Sequence, residues 1–313
     1  EFYIISIAGF ISTILESIIG AKFQEKYRLS NEVVNTIQTT ISSIIAISIY
    51  YLLFMFIRST SLIIPTKNRY LYLIKFFNNI KKLINKFDEI IIVDSSDKNE
   101  FSKIRNNFSK YKNIKVIRSK PSISIQRNLG IKKFNKKNKF IMFCDDDILF
   151  EKNALKNMDR FILKNVNTIG FGFNLIEKKK NTYFEKLKKS ILFKELGLYH
   201  YKSGVVCNNG WHTKMVNIRN DIDTQWLSTQ ACIYRSKVFT KNDLFNTSLG
   251  RYSYLDDLFF SFQLRKKGKL NVSSKSKYYH PNNIIRNNFD LGVQEVKNKY
   301  KFVKKNKFNL NKF

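Results

Sequence analysis

An α/β fold on a mostly parallel sheet flanked by helices, preceded by one or two transmembrane helices, is what this sequence predicts. Three observations carry it. Short apolar runs alternate with helically spaced segments after Arg58, three of those runs end in polar residues capable of chemistry, and the stretch before Arg58 is poor in charge. Strands separated by helical patterns imply βαβ units.

From Val33 to Ile57 no charged residue occurs for 25 positions, with Ile, Leu, Phe, Tyr and Met dominating after Ile41. A transmembrane helix needs roughly 20 such residues. Ser42, Ser43 and Ser48 are tolerable because a helical hydroxyl bonds back to its own backbone. Phe2 to Gly20, interrupted by Glu16, is a second candidate span, and the short mixed-charge stretch Lys22 to Glu32 would make the pair a hairpin. Amphipathic helices packed on a soluble domain are the alternative. Arg58 and the basic remainder place the following domain on the cytoplasmic side of a membrane. A cleaved signal peptide fits poorly, since no basic region leads and the apolar length is too great. The chain begins at Glu1 rather than Met, consistent with a natural start further upstream.

After Arg58, Ser61 to Pro65 reads as a strand ending in the loop Thr66-Lys67-Asn68-Arg69. Tyr70 to Phe87 has helical spacing in Leu73, Phe76, Phe77, Ile80, Leu83 and Ile84. Glu89 to Val93 is an Ile-rich strand running into Asp94. Phe101 to Tyr111 and Ser124 to Phe134 are expected helices, Ile114 to Ile117 and Lys139 to Cys144 expected strands. Ligands in such sheets bind beyond the carboxyl ends of the strands. The domain is expected over residues 59–288, after a membrane segment at 1–58 and before a Lys- and Asn-rich tail at 289–313, helical or loosely ordered.

Composition narrows the partners. Lys and Arg number 56 against 24 acids, a net charge of +32. That favours polyanions, an anionic membrane face or phosphorylated substrates. The excess is spread along the chain beside abundant Asn, Ile, Phe and Tyr, as an AT-rich coding sequence would also give. No zinc-type spacing or nucleic-acid module is visible, so nucleic acid is not an expected partner. Cys144, Cys207 and Cys232 are isolated, which fits a reducing compartment. The basic amphipathic stretch from Lys178 to Leu198 can rest on an anionic bilayer or pack on the domain.

The most informative feature is Asp145-Asp146-Asp147, directly after the apolar run Phe140 to Cys144. Three adjacent acids at a buried strand end repel one another and resist desolvation. A divalent cation such as Mg²⁺ or Mn²⁺ gives a reason for them, taking carboxylates together with substrate phosphate; a solvated acidic turn is the alternative.

Several segments together resemble family 2 glycosyltransferases of the GT-A, Rossmann-like fold. They are Ile63-Ile64-Pro65-Thr66-Lys67-Asn68-Arg69, Ile91-Ile92-Val93-Asp94, Gln126-Arg127-Asn128-Leu129-Gly130-Ile131 and Phe143-Cys144-Asp145-Asp146-Asp147. Downstream, Trp226-Leu227-Ser228, Tyr234-Arg235, Tyr254-Leu255-Asp256-Asp257 and Leu264-Arg265-Lys266-Lys267-Gly268 are similar to the family's acceptor-side segment and its "ED" motif. The likeness spans Ser61 to His280. It implies an enzyme moving a sugar, with inversion, from a nucleotide-sugar donor to a glycan or lipid-linked acceptor, and the apolar N-terminal segment would attach it to a membrane. A catalytically silent scaffold of the same fold is the alternative.

By this resemblance Pro65, Thr66, Asn68, Arg69, Asp94, Arg127, Asn128 and Asp145 lie on the donor side. Asp145 and Asp147 hold the metal, with Asp146 oriented away and His280 as a third ligand or a phosphate contact; a surface histidine before Pro281 is the competing reading for His280. Asp256, where Glu is usual, and Trp226 lie on the acceptor side, and Trp211 is a further aromatic candidate. Asp257, at the start of the helix-like stretch Leu258 to Lys266, is the expected general base. A helix cap is the competing reading for both Asp257 and Asp94. His200 and His212 carry no motif.

Overall fold

The apolar N-terminal residues form two helices, α1 (Phe2–Ile19) and α2 (Asn31–Leu53), joined through a π-helical turn at Gly20–Gln24. The structure, a computed structural model, describes residues 2–53, 59–177, 190–197, 199–240, 242–281 and 289–312. Contacts divide the chain into residues 1–58 and 59–313. In the first unit Ala8, Ser12 and Val34 are buried, while Ile5, Phe10, Ile14, Ile44 and Ile47 stay exposed. Both helices are long and apolar enough to cross a membrane. Residues 54–57 of the expected span lie outside the described residues, as do 178–189 and 198 of the basic amphipathic stretch.

Among the described residues, the second unit is built on a nine-stranded sheet. Its first half forms where the apolar runs predict: β1 (Thr60–Thr66), β2 (Glu89–Asp94), β3 (Ile114–Arg118) and β4 (Phe140–Cys144). These pair in parallel in the order β3-β2-β1-β4, and β1, β2 and β4 are buried along their whole length. Beyond β4 the sheet is mixed, with β5 (Leu149–Phe150), β6 (Thr168–Leu175), β7 (Ile222–Thr224), β8 (Ala231–Arg235) and β9 (Lys269–Tyr279). The order continues β8-β6-β9-β5, with β8 antiparallel to both β4 and β6, β6 parallel to β9, and β7 and β5 antiparallel to β9. A mostly parallel sheet therefore holds for the first four strands only. β6 and β9 escape a period-two reading because one is broken by Gly170 and Gly172 and the other is half polar.

The expected helices form with shifted ends. The first stops as α3 (Tyr70–Asn79) and continues as a 3₁₀ helix over Lys81–Lys86; then come α4 (Lys98–Phe108), capped by Asp97, and α5 (Ile123–Lys133), capped by Ser122. After β5, α6 (Ala154–Lys164) turns Leu155, Met158, Phe161 and Ile162 inward. The short α7 (Ile191–Glu195) follows, and α8 (Asp256–Leu264) leads into β9. The C-terminal residues form α9 (Phe289–Lys305), whose Phe302 and Val303 are fully buried, Phe302 against Phe259 at 5.0 Å. Asn298 ties this helix to the carbonyls of Leu249 and Tyr254.

Two local features open the site. The β1–β4 ladder ends at Ile63↔Phe143, two residues before Pro65, which has no N–H to donate. The chain runs outward from β1 to β2 and β3 and returns to β4, so the crevice between β1 and β4 is the topological switch point where ligands bind. Gly130 lets α5 lie against β1: a Cβ there would fall 2.5 Å from Ile63 Cγ2.

Candidate active site

Thr66, Asp94 and the aspartate triplet stand at the carboxyl ends of β1, β2 and β4. The three aspartates divide their work. Asp146 turns toward β1, accepting from Thr66 Oγ1 at 2.6 Å and pairing with Arg69 Nη1 at 2.8 Å. Burial pushes its carboxyl up to about 7 against the pull of Arg69. The other arm of Arg69 holds Asp147 Oδ2 at 2.6 Å.

Asp145, Asp147 and His280 converge, with one ligand atom from each lying within 4.8 Å of the others. His280 Nε2 is 3.2 Å from Asp147 Oδ1. That oxygen is buried, with His280 as its near polar neighbour. For Asp147, burial is outweighed by His280 and Arg69, which hold its carboxyl below the usual range; His280 is raised by the same contact. Two carboxylates and an imidazole with ligand atoms this close together are a donor set that fits a hard or borderline divalent cation.

A second fork links the donor and acceptor halves. Arg127, on α5 and 4% exposed, reaches Asp145 Oδ1 at 3.0 Å and Asp256 Oδ2 at 2.8 Å. Ser124, three residues earlier on the same helical face, donates to Asp256 Oδ2 at 3.2 Å. Burial raises the carboxyls of both Asp145 and Asp256 despite Arg127. Asp256 is thus held, whereas Asp257 is partly open.

Asp257 Oδ1 accepts from Leu258 N at 2.8 Å. Burial, then the Asp256 charge, push its carboxyl up to about 7. The turn before it is strained: Ser253 and Leu255 have φ of 47° and 69°, a left-handed conformation that non-glycine residues rarely adopt. Such outliers cluster at functional sites. Asp145, Arg127, Asp257, Trp226, Tyr252 and Lys214 all line one cavity of about 280 Å³.

Asp94 is fully buried; its Oδ1 accepts from the backbone N–H and hydroxyl of Ser96, while Oδ2 has no partner. Burial raises its carboxyl above the ordinary range. The cap of α4 is Asp97, not Asp94. Asn68, at φ 52°, bridges to the next loop, accepting from Asp97 N at 2.9 Å and donating its own N–H to Ser96 Oγ at 2.7 Å. Pro65 sits in β1 opposite Val93.

Asn128 is spent elsewhere, exchanging hydrogen bonds of 2.9 and 2.7 Å with the backbone of Phe245. Trp226 is 5% exposed, donates to Thr213 O at 3.1 Å and reaches the cavity from the core. Trp211 lies under Lys299 Nζ, 3.2 Å from its ring centre.

Sequence reasoning left several site residues without a role. Gln126 ties β1 to β2 through the carbonyls of Thr66 and Val93, and helical spacing from Arg127 would have found Ser124. His212, which lines the cavity edge-on to Trp226 at 4.6 Å and is driven down to about 3 by burial, gave no local signal.

A mixed sheet with acids at the carboxyl ends of its parallel strands, completed by a helix opening on Asp256-Asp257, is the GT-A architecture of glycosyltransferases. The glycosyl transferase family 2 pattern matches residues 61–232, more than half of the chain, and the chain belongs to that family. The minor teichoic acid biosynthesis protein GgaA of Bacillus subtilis (strain 168) is 25% identical over 197 residues, 61% of this chain and 39% of GgaA. The chain therefore spans well under half of that relative. Among solved structures, GalNAc-T7 with UDP, GalNAc and Mn²⁺ superposes with a TM-score of 0.53 at 14% identity, over 72% of this chain and 44% of that one. S. aureus TarS 1–349 gives 0.48 at 19% identity, over 71% and 60%.

Proposed function

We propose that this glycosyltransferase moves a sugar, with inversion, from a nucleotide-sugar donor to a glycan or lipid-linked acceptor, using Mn²⁺ or Mg²⁺. The observation that carries this reading is the convergence of Asp145, Asp147 and His280 beside a cavity shared by Asp145, Arg127 and Asp257. GalNAc-T7, of the same fold, is described with UDP and Mn²⁺.

Asp145, Asp147 and His280 would hold the metal, which when bound supplies Lewis-acid stabilisation of the leaving diphosphate. Asp94 presents its unpartnered buried oxygen as an acceptor for a nucleobase N–H. Thr66, Asn68 and Arg69 fix the loop at the nucleotide's side, Pro65 by ending the ladder and Asn128 by anchoring α5. Arg127 keeps Asp145 and Asp256 in register across the cavity. Asp257 removes the proton of the acceptor hydroxyl as that oxygen attacks the anomeric carbon. The sugar–phosphate bond breaks on the opposite face, the nucleoside diphosphate takes the bonding pair, and the proton stays on Asp257. A carboxyl near 7 is matched to that task at neutral pH. Trp226 and Tyr252 line the acceptor side of the cavity.

Helices α1 and α2 hold the enzyme in a membrane, with the domain from residue 59 on the cytoplasmic side, where nucleotide sugars are made. Calorimetric titration with UDP-, GDP- and dTDP-sugars, with and without Mn²⁺, tests the donor assignment. Metal-dependent binding of one of them is expected; binding of none across the panel would overturn it.

A further inference from the structure

The edge of the sheet opposite the cleft is marked by Thr60, Glu89, Ile114 and Phe140, the first residues of the four parallel strands. Arg235, ending β8, lies beside Phe140, and Lys269, opening β9, beside Thr168. Connections meeting this edge carry exposed lysine: Lys86 before β2, Lys112 before β3, Lys136 and Lys137 before β4, Lys237 after β8 and Lys269 at the start of β9. Among the described residues, none of these six forms an ion pair with a carboxylate.

Most acids near this edge are committed. Glu89 is buried and bound to Ser61 and Lys115, Asp243 is held by Lys267 at 2.6 Å and Asp223 by Arg265 at 3.2 Å, while exposed Asp88 accepts from the neutral amide of Asn135 and keeps its charge. The cleft edge differs. Its lysines and arginines share space with Asp94, Asp97, Glu100, the aspartate triplet and Asp256-Asp257. Compositional basicity alone would load both edges alike, so the contrast marks this edge as a surface with a partner.

We propose that this edge docks on an anionic lipid bilayer, its lysines seated among the headgroup phosphates and the catalytic cleft opening away from the membrane. The inference rests on the membrane reading of residues 1–58. Connectivity selects a bilayer over other polyanions. The chain enters the sheet at Thr60, on this edge, and α2 ends at Leu53. The intervening residues can span at most roughly 25 Å. A bilayer-spanning α2 therefore limits Thr60 to that reach from the headgroups, and an ammonium near the anionic leaflet is attracted by it. The seven residues of β1 then set the carboxylates back from that plane by roughly 20 Å. An acceptor reaching them must extend from the bilayer, as a chain of several sugars does and a single lipid-borne sugar does not.

The test uses the full-length chain in nanodiscs of neutral phosphatidylcholine or of phosphatidylcholine mixed with phosphatidylglycerol. Lysine acetylation is read by mass spectrometry at Lys86, Lys112, Lys137, Lys237 and Lys269, with Lys98 and Lys120, which follow the carboxyl ends of β2 and β3, as cleft-side controls. In anionic discs the edge lysines are expected to lose labelling roughly five-fold, the effect of one lysine's attraction to such a surface. The controls should stay unchanged, and high salt should restore the lost labelling. Equal labelling in the two lipids, or protection of the controls instead, overturns the proposal. So does protection in neutral discs only when RNA is added, which would assign the edge to nucleic acid.

Chain that does not insert is mixed with vesicles of the same lipids, and failure to sediment with the anionic ones is equally decisive against docking. Donor titration on the same preparation keeps this outcome separate from the catalytic assignment. The variant K86E/K112E/K137E/K237E should lose the lipid-dependent contrast while still binding nucleotide sugar.

Discussion

Asp257 and Asp256 are neighbours on one helix turn, yet their surroundings give them different work. Asp256 is locked by Arg127 and Ser124, while Asp257 keeps part of its carboxylate open to the cavity. Asp257→Asn is expected to leave donor affinity nearly intact and cut kcat by roughly 10²–10⁴. A mere cap would lose about 1 kcal/mol of stability with near-normal turnover, so kcat and donor Kd on one variant separate the two roles. A base works only when ionised. With its carboxyl at about 7, kcat/KM should fall as pH drops through neutrality, and Asp257→Asn should remove that limb. A profile flat through neutral pH contradicts the assignment. Asp145→Ala and Asp147→Ala should each abolish Mn²⁺-dependent donor binding, read by calorimetry. A variant that still binds donor tightly only with Mn²⁺ would remove that residue from the metal site.

Helix α5 is the element that joins the two halves of the site. Ser122 caps it, Gln126 and Gly130 fit it to β1 and β2, and Arg127 points across to Asp145 and Asp256. Gly130→Ala would drive a methyl into Ile63, and overpacking of this kind costs about 1–3 kcal/mol. Because Arg127 lies less than one turn away, kcat should fall along with stability. Urea unfolding and turnover on the same variant check this; a loss of stability with unchanged kcat would mean that α5 can shift without disturbing the fork. The strained turn at Ser253–Leu255 plays a similar part for α8, aiming both aspartates from a backbone that propensity would not choose.

At the scale of the whole molecule, charge and apolarity are arranged by region: apolar helices before residue 59, acids gathered at the cleft, lysines along the opposite edge. Full-length protein should therefore resist alkaline carbonate extraction from membranes, and release by that wash would exclude a span. A reporter fused after Phe313 should be active in the cytoplasm; activity only outside it would reverse the orientation.

The sequence by itself determined the strand–helix alternation after Arg58, the polar residues ending β1, β2 and β4, and the apolar helices ahead of them. Each is local: period, propensity and run length act within a few residues. It also supplied the chemistry, because three adjacent acids at a buried strand end are costly unless they bind something. Only the tertiary structure decided how those parts combine. Asp146 turns to Arg69 while Asp145 and Asp147 face His280, although the three aspartates are consecutive. Arg127 finds Asp256, 129 residues away. Asn128, beside Arg127 in sequence, is withdrawn to Phe245. The antiparallel insertion of β8 between β4 and β6 brings Gln230 O to Asp145 N at 3.0 Å and closes the sheet beside the triplet. Buried polar groups must find partners wherever packing supplies them, and those partners lie too far along the chain for any local pattern to name.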